Sequence, residues 1–287
     1  ITTASGYAFS RNSQESRTVS FTSSSSPAGA LTLSKSLDPQ GLTSGITLDT
    51  TGGWTVTYSG SATNLENATQ AIITKGALTG IEIAGTLITS EYLDENGVIS
   101  GVSGITPGTV KFTPAVNSTP ATLTLNGAAL TAPIIIGLSE LTIDIQGTNS
   151  ITTNTTCIQN QENTTPVQLT FKSTSAEVGS LTLTNTSDNS DGVINDKYFE
   201  KFTISNELAL IMLRYGGYTS NTYYFTAGEV HNAQIVPSYG VQVESAQILQ
   251  VYEGNANDIL GDGTDTKEPT VSFDKTTNTL TLNGARD

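Results

Sequence analysis

The sequence predicts an all-β chain built of tandem units, on the strength of an internal repeat, short runs of period-2 hydrophobicity, and a Thr-rich, charge-poor composition. At an offset of 150, Ile1-Thr2-Thr3 falls on Ile151-Thr152-Thr153, and residues 19–36 (VSFTSSSSPAGALTLSKS) fall without a gap on residues 169–186 (LTFKSTSAEVGSLTLTNT). A second echo carries residues 109–112 (TVKF) to 270–273 (TVSF) and residues 123–128 to 280–285 (both LTLNGA), at offsets of 161 and 157. Such repeats make stacked or strung modules rather than a single catalytic bowl. The chain is therefore expected to start and stop inside repeat units.

In chain order, the alternating pairs are Val19/Phe21, Leu31/Leu33, Ile46/Leu48, Val56/Tyr58, Ile81/Ile83, Val110/Phe112, Leu123/Leu125, Leu141/Ile143/Ile145, Leu169/Phe171, Leu181/Leu183, Phe202/Ile204, Val271/Phe273 and Leu280/Leu282. Each pair sits between Gly, Asn, Ser or Pro clusters and reads as a half-buried strand. The best helical candidates, residues 207–213 (ELALIML) and 62–73, lack a capping box with sustained 3.6-residue periodicity and read as strands or single turns. Leu125 to Ile143 is 18 residues and Ile143 to Leu169 is 26, bracketing the roughly 20 to 30 residues of one β-helical coil. The expected architecture is thus a tandem right-handed parallel β-helix, a solenoid, with tandem β-sandwich domains as the alternative. Asn126, Asn149 and Asn185 punctuate the coils and are candidates to cap turns. Gly, Asp and Asn concentrate in residues 92–108 and 239–264. This places the C-terminal part of one unit at 1–91, a complete unit at 92–238, and an inter-unit segment with the opening of a further unit at 239–287.

At 287 residues with 36% apolar side chains, the chain is long enough for about two domains with real cores. Charged residues reach only 13%, against roughly 25% in typical soluble domains, and abundant Thr favours strands. Twelve basic against 26 acidic residues give a net charge of −14, so a nucleic-acid backbone would be repelled. Cys157 is the single cysteine; it excludes an intrachain disulfide framework and reads as a small buried hydrophobe. No run approaches the roughly 18 apolar residues of a membrane span, and no basic-then-apolar leader opens the chain.

The ordered set TLTLNGA (122–128), LTIDIQGTNSI (141–151) and LTF…GSLTLTNT resembles bacterial carbohydrate-binding-domain proteins of Bacteroidota and Firmicutes with right-handed β-helix repeats. YGVQV (239–243), NDILGDGT (257–264), VSFD (271–274) and NTLTLNGA (278–285) look like the segment that introduces such a unit. The resemblance implies a non-catalytic, extracellular polysaccharide binder of the bacterial cell surface, some members being associated with acidic sugars and calcium. It carries no residue-level sugar site over to this chain.

Catalysis finds little support in the sequence. The only histidine, His231, reads as a turn residue. Glycosidases need two facing carboxylates, and β-helical lyases a basic proton abstractor beside calcium-binding acids. Asp188, Asp191, Asp196, Lys197, Glu200 and Lys201 supply such types, but in one polar loop that reads as a solvated excursion. Hard cations want several oxygen ligands on flexible loops. Asp188 and Asp191, and Asp258, Asp262 and Asp265, offer these to calcium, without EF-hand spacing and with Asx-turns as the plain alternative. The sharpest binding feature is residues 214–225 (RYGGYTSNTYYF), which concentrate Tyr215, Tyr218, Tyr223 and Tyr224 in a chain only 7% aromatic. Aromatic faces stack on the CH faces of a pyranose while the hydroxyl reaches its polar rim. Residues 68–78 of the preceding unit hold no aromatic, so the scaffold does not demand the cluster, although stacking inside the coil is the structural alternative. The expected function is non-catalytic binding of a polysaccharide or host-surface glycan, with a structural stalk or adhesin array second and a lyase or hydrolase third.

Overall fold

The computed structural model describes residues 2–3, 17–22, 30–35, 42, 46–161, 168–187, 192–194, 202–212, 222–223, 232–243, 246–249, 271–274, 277 and 279–283. Among the described residues the protein is all-β, with several sheets and none closed. The chain divides into two compact units, residues 1–79 with 87–94, and residues 80–86 with 95–287.

The first strands are β1 (Thr2–Thr3), β2 (Arg17–Ser20), β3 (Leu31–Lys35), β4 (Ile46–Asp49), β5 (Trp54–Tyr58), β6 (Gln70–Lys75), β7 (Leu78–Ile83) and β8 (Thr86–Thr89). In the first unit β1, β3, β6 and β5 form one sheet in that order, and β2 pairs with β4. Alternation turns Leu33, Ala71 and Ile73 into a core with Leu42, Leu65 and Ala68, and Trp54 tilts against Phe21 at a ring separation of 5.6 Å.

Then follow β9 (Val110–Thr113), β10 (Ala121–Asn126), β11 (Ala129–Leu130), β12 (Ile134–Ile136), β13 (Glu140–Gln146), β14 (Thr148–Thr153), β15 (Ile158–Asn160), β16 (Gln168–Lys172) and β17 (Ser180–Asn185). The last are β18 (Phe202–Ile204), β19 (Leu208–Met212), β20 (Thr222–Tyr223), β21 (Asn232–Val243), β22 (Ala246–Leu249), β23 (Val271–Asp274) and β24 (Thr279–Leu282). Strands β10, β13, β16 and β18 pair in parallel in sequence order. Likewise β11, β14 and β17 pair in parallel, as does β12 with β15. Antiparallel neighbours close some edges: β9 on β10, β20 on β18, β21 on β17, and β7 on β12, where Ile81 and Ile83 face Ile136 and Ile134.

Leu123, Leu125, Leu141, Ile143, Leu169, Phe171, Leu181 and Leu183 are all buried, as their alternation predicts. The spacing needs correcting. Ala121 pairs with Leu141, Leu141 with Leu169 and Leu169 with Phe202, so successive returns are 20, 28 and 33 residues long. A shift of two residues leaves every side chain on its own face, so alternation alone cannot fix which pair opposes which.

The 150-residue echo is an echo of register. Thr2 faces Ser34 as Thr152 faces Thr184, and Leu31 and Leu33 face Ile73 and Ala71 as Leu181 and Leu183 face Ile235 and Ala233. Val56 and Tyr58 meet that same Ile73 and Ala71 as Leu210 and Met212 meet Ile235 and Ala233.

Candidate functional site

The sheet ordered β20-β18-β16-β13-β10-β9 carries its apolar residues on one face, and the other face follows from the pleat. One position per strand forms a row of six threonines: Thr113, Thr122, Thr142, Thr170, Thr203 and Thr222 pair in succession. Thr113 and Thr203 are exposed, Thr122 and Thr170 half-buried, and Thr142 buried among its neighbours. The next row on this face runs Lys111, Thr124, Asp144, Lys172. At about 4.8 Å per strand, five intervals span roughly 24 Å.

Where the second row reaches the end of the strands, two carboxylates gather the corners. Asp144 is 4% exposed. Its Oδ1 accepts from the Thr174 amide at 2.8 Å, and its Oδ2 from Thr174 Oγ1 at 2.7 Å and Gln146 Nε2 at 2.8 Å. Glu207 Oε1 accepts from the Ser173 amide at 3.0 Å and from the Ser205 hydroxyl. Ser173 Oγ donates to the Ile145 carbonyl at 2.6 Å and accepts from the Gly179 amide at 3.2 Å. Burial pushes the Glu207 carboxyl up and the charge of Asp144 adds to that, but the hydrogen bonds from Ser205 and the backbone outweigh both and hold it below its ordinary value. Asp144 thus ties β13 to the corner after β16, and Glu207 ties that corner to the one after β18. Together they form a clasp, in which both oxygens of Asp144 and Oε1 of Glu207 already accept.

The asparagines divide. Asn149 is 2% exposed; its Oδ1 accepts from the Ala128 amide at 2.8 Å, and its Nδ2 donates to the carbonyls of Gln146, Gly147 and Ser180. Asn185, 3% exposed, accepts from the Ser187 amide and hydroxyl, whereas Asn126 is exposed. Cys157 is buried as expected, and burial pushes its thiol up to about 12.

Of the sequence-predicted site residues, Tyr215, Tyr218, Tyr224, Asp188, Asp191, Asp258, Asp262 and Asp265 lie outside the described residues, as do His231, Asp196, Lys197, Glu200 and Lys201. The backbone of Tyr223 is described: β20 is the edge strand of the threonine-bearing sheet, and Tyr223 pairs with Phe202. Its register position belongs to the row of Ala121, Leu141 and Leu169, which are buried, while Thr222 beside it belongs to the threonine row. Sequence reasoning missed both the threonine row and the clasp. The signal for the first was the hydroxyl residue alternating with each apolar pair; for the second it was Asp144, an acid set between Ile143 and Ile145 on β13. Among the described residues no three His, Cys, Asp or Glu side chains converge, and no helix is long and apolar enough to cross a membrane. Compared with family models, curated proteins and solved structures, the chain gives no match.

Proposed function

We propose that this chain is a stretch of right-handed parallel β-helix, built of tandem units, that binds polysaccharide without cleaving it, outside the cell at a bacterial surface. The parallel, in-order pairing of β10, β13, β16 and β18 favours a helix over a sandwich, whose sheets are antiparallel. The right hand follows from the handedness of parallel crossovers. One observation carries the binding reading: one sheet face carries threonine in register on β9, β10, β13, β16 and β18, exposed or half-buried on all but β13, and the edge strand β20, paired through Thr222, lies within the tyrosine run of residues 214–225. Threonine hydroxyls meet sugar hydroxyls and their methyls meet CH groups, and the rings of Tyr215, Tyr218 and Tyr224 supply apolar faces for a pyranose. With a net charge of −14, an acidic glycan requires a bridging cation. Calcium held by Asp188 and Asp191, or by Asp258, Asp262 and Asp265, meets that requirement.

A stalk is the second reading, favoured by the recurrence of the same registers in the two copies. Glycan titrations of the wild type and of Y215A, Y218A and Y224A, with calcium and with chelator, separate the two. In the binding reading each substitution weakens affinity about tenfold, the loss of roughly 1 to 2 kcal/mol of ring burial, with the melting temperature nearly unchanged. Destabilisation without a specific loss of binding, or no binding to any neutral or acidic glycan, leaves the stalk. Release of reducing ends or unsaturated products, abolished by D191A or K197A, would overturn the non-catalytic reading.

A further inference from the structure

The two copies of the repeat share a backbone corner and fill it differently. Val56 faces Ile73 as Leu210 faces Ile235, and one pair further along Trp54 faces Lys75 where Leu208 faces Pro237. The Gly76 amide donates to the Gly53 carbonyl at 2.8 Å, as the Ser238 amide donates to that of Glu207 at 2.8 Å. In the second copy Leu208 is 1% exposed, Pro237 is buried, and the Glu207 carboxylate ties the corner to Ser173 and Ser205. In the first, glycine stands where Glu207 stands, and Trp54 and Lys75 are half-buried. Strands β5 and β19 each lie at the end of their sheet's order, so edge position does not set the two corners apart. Trp54 is the only tryptophan of the chain. A Cβ at Gly52 would lie 4.0 Å from its Cδ1 and one at Gly53 would meet nothing within 4 Å, so the turn before the ring leaves it uncrowded. Lys75 Nζ meets Glu91 Oε1 at 3.0 Å, with the two side chains 38% and 23% exposed.

We infer that Trp54, Lys75 and Glu91 form a pyranose subsite in the first unit, apart in sequence from the tyrosine run. This deepens the glycan-binding reading and rests on it. The sugar lays a CH face on the exposed part of the indole, while one hydroxyl accepts from Lys75 and its neighbour on the ring donates to Glu91, so that apolar contact and a donor–acceptor pair converge on one monosaccharide. The scaffold itself requires none of the three side chains' chemistry at this corner, since leucine and proline fill the same register in the second copy and bury there. Glycine in place of the clasping glutamate keeps the approach to the ring open.

A single tryptophan makes the site its own reporter. The full chain is titrated with cellohexaose, with xylohexaose and, in the presence of calcium, with hexagalacturonate, and each titration is followed by calorimetry and by tryptophan emission. At least one probe should release heat and shift the Trp54 emission to the blue, both saturating at the same midpoint. W54F, which keeps an apolar ring against Phe21, and K75A, which removes a partly exposed side chain, should each weaken calorimetric affinity for that probe about tenfold. The wild-type emission needs no substitution, so the test holds even if W54F lowers the melting temperature. Heat with unmoved Trp54 emission, or W54F and K75A binding like wild type, would overturn the subsite and leave the glycan reading in place. No heat with any of the three probes would sink both.

Discussion

Replacing Asn149 by alanine tests how the corners of this chain are held. The side chain is 2% exposed and makes four hydrogen bonds, accepting from the Ala128 amide and donating to the carbonyls of Gln146, Gly147 and Ser180. Two of those acceptors keep another partner after truncation, Gln146 through the Gly127 amide and Gly147 through the Ser180 amide. The Ala128 amide loses its acceptor at a buried position, which costs about 1 to 3 kcal/mol. The lost donations add about 1 kcal/mol net, so N149A should destabilise by roughly 2 to 4 kcal/mol. In a chain of this size that lowers the melting temperature by on the order of 5 to 10 °C. Calorimetry with urea titration provides the measurement, and N126A at the exposed neighbouring corner, expected within about 0.5 kcal/mol of wild type, is the control. N149D is the sharper companion: it keeps an acceptor for Ala128 but turns a carboxylate toward three carbonyls, and should be worse than N149A at neutral pH. If N149A and N126A melt together, Asn149 is a bystander and the corner is held by backbone bonds alone.

Ile143 is 0% exposed on the central strand β13, between Leu123 and Phe171, and I143A should cost about 2 to 5 kcal/mol in urea unfolding. Glu207 has a carboxyl held below its ordinary 4.5, so its contribution is fully present above that pH and is lost as pH falls through the lower folded value. Melting curves of wild type and E207Q should therefore differ most at neutral pH and converge in acid; a constant gap would refute the clasp. Cys157 has a thiol raised from 9.0 to about 12, so the unfolded state sheds its proton first and stability falls as pH rises from about 9 to 12. A maleimide should label it slowly in the native protein at neutral pH and quickly in guanidinium; equal rates would show that it is not buried.

Much of the scaffold was legible because alternation is a local property. A residue two along a strand lies on the same face whatever the strand pairs with, so Leu123, Ile143, Phe171 and Leu183 declared themselves core residues before any partner was known. The repeat likewise announced itself at an offset of 150, where Leu31 and Leu33 fall on Leu181 and Leu183; only the pairing shows that Ile73 and Ala71 answer to Ile235 and Ala233, so that residues 68–78 are not the counterpart of 214–225. Pairing was not local. The returns of 20, 28 and 33 residues depend on how much chain each loop takes up, which a two-residue slip in spacing conceals. Short strands such as β11, β12 and β15 carry too few alternations to register a period, and only their neighbours make them strands. The threonine row and the clasp belong to tertiary structure for the same reason. Thr113, Thr122, Thr142, Thr170, Thr203 and Thr222 are scattered over more than a hundred residues of sequence. Asp144 and Glu207 are linked through the adjacent Thr174 and Ser173, whose amides they accept, because the chain returns bring those residues side by side. Sequence by itself determined which residues face inward; the backbone ladder between distant strands decided which polar residues stand side by side.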